Sequence, residues 1–164
     1  MEIMEAVAKL EKSNEFKEWQ KSHEKAYLAH VFVMLDEPNK GILQIGYFDS
    51  EKNLMSTFVV SDKKIEIIPD QEVLKANTEI EKLKPSDVKL SVADALAAAQ
   101  KAKLEHYPQE MPAKTFFIIQ DLKEHGAVFN ITFFTHSFKT INIKLSSKDG
   151  KVLHHTCENL AAFG

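Results

Sequence analysis

SVADALAAAQKAKLEHYP (residues 91–108), KTFFIIQD (114–121), AVFNITFFT (127–135), FKTINIKLSS (138–147) and SKDGKVL (147–153) succeed one another in the chain. Their periodicities decide the fold class. The first segment is alanine-rich and opens with Ser91 followed by Asp94, the pattern of a capped helix start; Pro108 and Pro112 stop it. In the later segments Phe129, Ile131 and Phe133 alternate with Asn130 and Thr132. Ile141, Ile143 and Leu145 alternate with Asn142 and Lys144. Period-two alternation of this kind predicts antiparallel strands with one buried face. The stretch therefore reads as one helix followed by three strands.

Working backwards, residues 2–25 carry Ile3, Val7, Leu10, Phe16 and Trp19 at helical spacing, with a break available at Ser13-Asn14. Trp19 is expected to pack in the core. Strand signals follow at 27–35, 42–49 and 54–60, with a shorter one at 65–68, and DEPNKG (36–41) and SEKN (50–53) serve as turns. Pro69-Asp70 punctuates the chain, and Val73, Ala76, Ile80 and Leu83 suggest a short helix over 71–84. The expected architecture is α+β: two tandem helix-plus-antiparallel-sheet (α-β-β-β) units. These occupy residues 1–69 and 91–164, with 70–90 as connector.

An internal comparison supports that plan. At an offset of 85 residues Asp36 falls on Asp121, Phe32 on Phe117, Gly41 on Gly126 and Phe48 on Phe133. At the same offset Ile45 falls on Asn130 and Val59 on Lys144. The face bearing Leu43, Ile45, Tyr47 and Val59 is thus apolar where its counterpart is polar, and it is expected to form an interface. Gln44 and Gly46 are expected to face the helix, with Gly46 admitting the Trp19 ring. The counterpart face, bearing Asn130, Thr132, Asn142 and Lys144, is the expected binding surface.

Composition narrows the function classes. The 164 residues include 21 basic ones, all lysine, against 24 acidic ones. Without arginine there is no bidentate reading of phosphates or guanine edges, so nucleic acid is not an expected partner. No apolar run approaches the ~20 residues of a membrane helix. MEIMEAVAKLEKS at the start lacks a signal peptide's layout, so a cytoplasmic, non-membrane protein is expected.

Cofactor and catalytic signatures are sparse. His154-His155-Thr156-Cys157 is the one cluster with metal-ligand chemistry, but adjacent histidines on a strand point to opposite faces and a closed zinc site needs four ligands. No metal, other cofactor or catalytic residue is assigned. A Cys157–histidine nucleophile lacks an evident oxyanion hole. Asp36, Glu37, Asp49, Asp121 and Glu124 sit at turns, where acidic residues serve the backbone. Glycine-rich phosphate loops are absent.

Residues 91–99 (SVADALAAA), leading a helix, and 141–153, an alternating strand running into Asp149-Gly150-Lys151-Val152-Leu153, resemble a PepSY-like domain within the wider cystatin-like style. That resemblance implies a small non-catalytic module, of a kind associated with regulating peptidases or binding at the cell envelope. The Q-x-V-x-G loop of protease-blocking cystatins is absent. The leading expectation is a non-enzymatic binding or regulatory module with a protein or peptide partner. Two alternatives stand beside it: a metal protein or small enzyme using His154, His155 and Cys157, and a structural homodimer.

Overall fold

The computed structural model describes residues 2–73 and 79–160. Two short helices open the chain, α1 (Ile3–Glu11) and α2 (Asn14–Gln20). They are separate because Ser13 turns the chain: its hydroxyl accepts the Phe16 N–H at 3.2 Å, capping α2. Four strands follow, β1 (Tyr27–Met34), β2 (Leu43–Asp49), β3 (Leu54–Val60) and β4 (Ile65–Glu72). Helix α3 (Val92–His106) starts at Ser91, whose hydroxyl accepts the Asp94 N–H at 3.1 Å. Four more strands complete the fold: β5 (Pro112–Leu122), β6 (Gly126–Thr135), β7 (Lys139–Ser146) and β8 (Val152–Asn159).

These strands form one sheet, and this overturns the expectation of two tandem α-β-β-β units. The order is β4-β3-β2-β1-β5-β6-β7-β8, every neighbouring pair antiparallel. The joint between the halves is β1 against β5, with Val31 opposite Ile119 and Val33 opposite Phe117. Each half has four strands rather than three: the short strand signal at 65–68 becomes a full fourth strand, β4, and the second half adds β8. β4 runs on through Pro69-Asp70, which the sequence reading took as its end. It can do so because an edge strand tolerates a residue without an N–H. β8 takes up the segment around His154–Cys157. The class remains α+β.

Among the described residues, the three α-helices pack on the same face of the sheet. Ile3, Val7, Leu10, Phe16 and Trp19 from the first two, and Ala95, Ala99 and Ala102 from α3, share one core with Val31, Ile45, Phe58, Phe117, Ile131 and Ile143. The small alanines let α3 approach the sheet closely. Trp19 contacts Phe58 edge-on at 5.1 Å and Phe16 at 5.1 Å, as core aromatics do. Each fully buried phenylalanine, among them Phe58, Phe117 and Phe129, contributes about 1.5–3 kcal/mol by leaving water.

The connector does not form the expected helix over 71–84 where it is described. Residues 71 and 72 belong to β4, 79–84 are irregular, and 74–78 lie outside the described residues. Leu83 is nevertheless wholly buried in the core, and its N–H donates to the Leu28 carbonyl at 2.9 Å. That contact sews the connector to the start of β1, ahead of the point where its pairing with β5 begins at His30.

Candidate functional site

The face of the sheet turned away from the helices carries the expected binding residues, and the register brings them together. Asn130 lies opposite Lys144 and Thr132 opposite Asn142 on the β6–β7 pair. The Asn142 amide N–H groups donate to Asn130 Oδ1 at 2.5 Å and to Thr132 Oγ1 at 3.1 Å. Lys144 Nζ donates to Asn142 Oδ1 at 2.7 Å. Four half-buried polar side chains thus form a connected cluster on the outward face.

An aromatic row adjoins it. Phe32 (β1), Phe116 (β5) and Phe134 (β6) touch in sequence, with ring centroids 5.4 Å and 5.6 Å apart. Phe116 stands opposite Thr132 and Ile118 opposite Asn130, so apolar and polar groups share cross-strand neighbours. Met34 and Ile118 extend the apolar area. All five are only half-buried. Among the described residues no helix lies over them. The sequence reading missed this row, although the signal was present: residues 31–35 (VFVML) and 115–119 (TFFII) break the alternation. Unbroken apolar runs mark central strands with both faces apolar.

The expected interface residues are not on this surface together. Leu43, Ile45 and Tyr47 belong to the core beneath α1 and α2, where Tyr47 packs on Phe16 at 5.0 Å and on Trp19 at 5.5 Å. Val59 lies opposite Gln44, on the other side of the sheet. The cause is register. In a strand a one-residue slip exchanges the two faces, and the offset of 85 residues places core-facing Ile45 on outward-facing Asn130. It likewise places outward-facing Phe32 on core-facing Phe117. Helices of the same chain account for the burial of Leu43, Ile45 and Tyr47 without a partner. Gly46 consequently faces away from Trp19 and lies under the His30 ring.

His30 borders a cavity of about 590 Å³ on the outward face, lined also by Ala29, Met55, Ile80, Gln120 and Asp121. Burial holds the His30 imidazole below the usual histidine range, favouring its neutral form. Burial also pushes the Asp121 carboxyl up, with Glu81 and Asp87 adding like-charge repulsion. Glu79, Glu81, Lys123 and Glu124 also line the cavity, so its rim is charged and predominantly acidic.

The residues around His154–Cys157 are split by strand alternation. His154 lies opposite Lys144 on the outward face, whereas His155 and Cys157 lie opposite core residues Ile143 and Ile141. His155 stacks on His106 at 4.0 Å, and its Nδ1 meets the Tyr107 hydroxyl at 2.8 Å. Burial, then Glu110, pushes the Cys157 thiol up, away from thiolate character. Among the described residues no group of three or more His, Cys, Asp or Glu side chains is placed to hold a metal ion.

Ser56, Asp70 and His23 are also neighbours, but in the wrong order for a nucleophile. The Ser56 hydroxyl donates to Asp70, and Asp70 meets His23 Nε2 at 2.8 Å, so the hydroxyl faces the carboxylate rather than the imidazole.

With this geometry in place, the chain can be set against known proteins. It is similar in fold to a crystal structure from Clostridium difficile 630 described as a "putative lipoprotein". The TM-score is 0.58 and the identity 16%, over 88% of this chain and 91% of that one. At such identity the likeness concerns the fold alone. No protein-family model matches the chain, and no curated protein matches it. Among the described residues no helix is long and apolar enough to cross a membrane.

Proposed function

We propose that this chain is a non-enzymatic binding or regulatory module whose outward sheet face receives a protein or peptide partner. One observation carries the reading: Phe32, Phe116 and Phe134 stand in contact on a face without a covering layer among the described residues, flush with a hydrogen-bonded polar cluster. Contiguous apolar area of this kind is uncommon on surfaces that meet only water. Aromatic centres bordered by polar groups are the usual anatomy of an interface. In this reading the phenylalanines supply contact area, while Asn130, Thr132, Asn142 and Lys144 select the partner through directional hydrogen bonds.

A non-catalytic role is favoured because the candidate nucleophiles lack activation. The Cys157 thiol is raised by burial, and Ser56 addresses a carboxylate. Peptidase regulation, which the PepSY resemblance implies, is one form of this role, and a cytoplasmic location belongs to the same reading. The test is a photo-reactive benzoylphenylalanine placed at Phe116 or, as control, at exposed Lys101 on α3, in cells expressing the full chain. A discrete adduct from position 116 alone, lost on Lys144→Glu, is expected. Adducts shared by both positions, or none from 116, would overturn the proposal. An adduct with the mass of a dimer identifies the partner as a second copy.

A further inference from the structure

The sheet ends in two edge strands, β4 and β8, and they are built differently. On β4, Pro69 brings no N–H, and Glu66, Asp70 and Glu72 give the strand like charge along its length. Its pairing with β3 is also interrupted, by a register shift between Met55 and Thr57. Proline, charge and a bulge each keep an edge from acquiring a further strand. From His154 to Glu158, β8 has none of these devices. That stretch holds no proline and no lysine, and Glu158 is its one acidic residue. It pairs with β7 residue for residue, from His154 opposite Lys144 to Glu158 opposite Thr140. Among the described residues no strand lies on its outer side. Backbone groups along a strand alternate in direction, so part of this row points away from β7.

The side chains say what kind of strand fits. Directly opposed residues of an antiparallel pair carry their side chains on one face. Two copies of β8 related by a two-fold axis must therefore place that axis at a residue, not between two. With the axis at Thr156, His154 stands opposite Glu158 of the second copy, and the contact occurs twice. Thr156 then meets its own counterpart, and His155 meets Cys157. An imidazole faces a carboxylate on either side of two paired hydroxyls, and cross-strand pairs of these kinds stabilise a sheet. His154 and Glu158 are exposed in the single chain. Moving the axis to His155 sets His154 against Thr156, and moving it to Cys157 sets Glu158 against Thr156. Both moves lose the histidine–glutamate contacts. On the helix side, His155 is already fixed by the Tyr107 hydroxyl at 2.8 Å and by the His106 ring at 4.0 Å. The edge is therefore ordered before a second strand arrives, which lowers the cost of docking.

We propose that β8 is the docking edge for a second copy of this chain, antiparallel to its own β8 and centred on Thr156. Two eight-stranded sheets then join into one. A two-fold contact closes on itself, and the only edges left are the two β4 strands, which carry the proline and the acids. The outward faces of both copies stay open and lie side by side.

Sedimentation equilibrium of the full chain should give twice the 18.6 kDa of one copy. Thr156→Lys opposes two ammonium groups at the axis and should restore the single-copy mass, with the circular dichroism spectrum unchanged. A second measurement reads the register and does not depend on that variant folding. In a Cys157→Ser background, Thr156→Cys should link two copies under copper-phenanthroline oxidation, because the axis sets those positions within disulfide reach. Glu158→Cys in the same background should not, since its two copies lie ~13 Å apart along the strands. A single-copy mass for the parent chain at every concentration, a dimer untouched by Thr156→Lys, or linkage through position 158 rather than 156 would each overturn the proposal.

Discussion

The His30 imidazole fills the space that a side chain at Gly46 would need: a Cβ there would meet His30 Cε1 at 2.3 Å and both ring nitrogens at 2.7 Å. Gly46 is thus required by a cross-strand neighbour rather than by backbone conformation. Gly46→Ala should destabilise the fold by about 1–3 kcal/mol, the cost of overpacking. His30→Ala should recover much of that loss in the double variant. Urea denaturation of the single and double variants measures the coupling; additive losses would disprove it.

His30 also sets a pH dependence. Its folded-state affinity for protons is lowered by burial from the ordinary value of 6.5. Between that value and the lower folded one, the unfolded chain binds the proton first, so stability falls as pH drops below about 6.5. Comparison with His30→Gln isolates this contribution. The variant should show a flatter loss of urea midpoint between about pH 7 and pH 5 than the parent chain.

Tyr47 donates its hydroxyl hydrogen to Glu11 Oε1 at 2.9 Å beneath the helices. Tyr47→Phe should cost about 1 kcal/mol, the usual worth of a partly buried hydrogen bond, and should leave oligomeric state unchanged. Burial, and then the Glu11 charge, push this phenol far above the ordinary range. In an ultraviolet titration Tyr47 should remain un-ionised past pH ~10, until the protein unfolds.

Two leucines distinguish the connector from a loose linker. Leu83 has no exposed surface, whereas Leu104 on α3 is 60% exposed. Leu83→Ala should cost roughly 2–5 kcal/mol and Leu104→Ala less than about 0.5 kcal/mol. Equal, small effects in thermal or urea unfolding would mean that the connector contributes nothing to the core.

On the outward face, Asn142 is the hub of the polar cluster and Lys144 its rim. Asn142→Ala should cost about 1 kcal/mol, because it strips partners from Asn130, Thr132 and Lys144 together. Lys144→Ala should be nearly silent in stability. If both variants unfold at the parent's urea midpoint, the cluster is solvated rather than organised.

Much of the fold was legible locally. Ser13 and Ser91 each announce a helix start through a short polar side chain that satisfies its own backbone. The hairpins follow from turn residues between alternating strands. The four polar residues of β6 and β7 were legible for the same reason, since alternation names the residues that share a face. The facing of β1 and β2 was not legible. Their sequences lack clean alternation, and an alignment one residue out of step reverses inside and outside. That single slip misplaced Leu43, Ile45 and Tyr47 as an interface and hid Phe32 from view.

By itself, then, the sequence determined α1, α2 and α3, the hairpins and the polar side of the second half, all products of contacts within a few residues; the helix it suggested over 71–84 does not form where that segment is described. Only the tertiary structure decided that β1 joins β5, merging the two halves into one eight-stranded sheet with α1, α2 and α3 on one side. Strand pairing between distant segments depends on which apolar faces meet in space. Central strands, apolar on both sides, carry no local mark of which face will be covered.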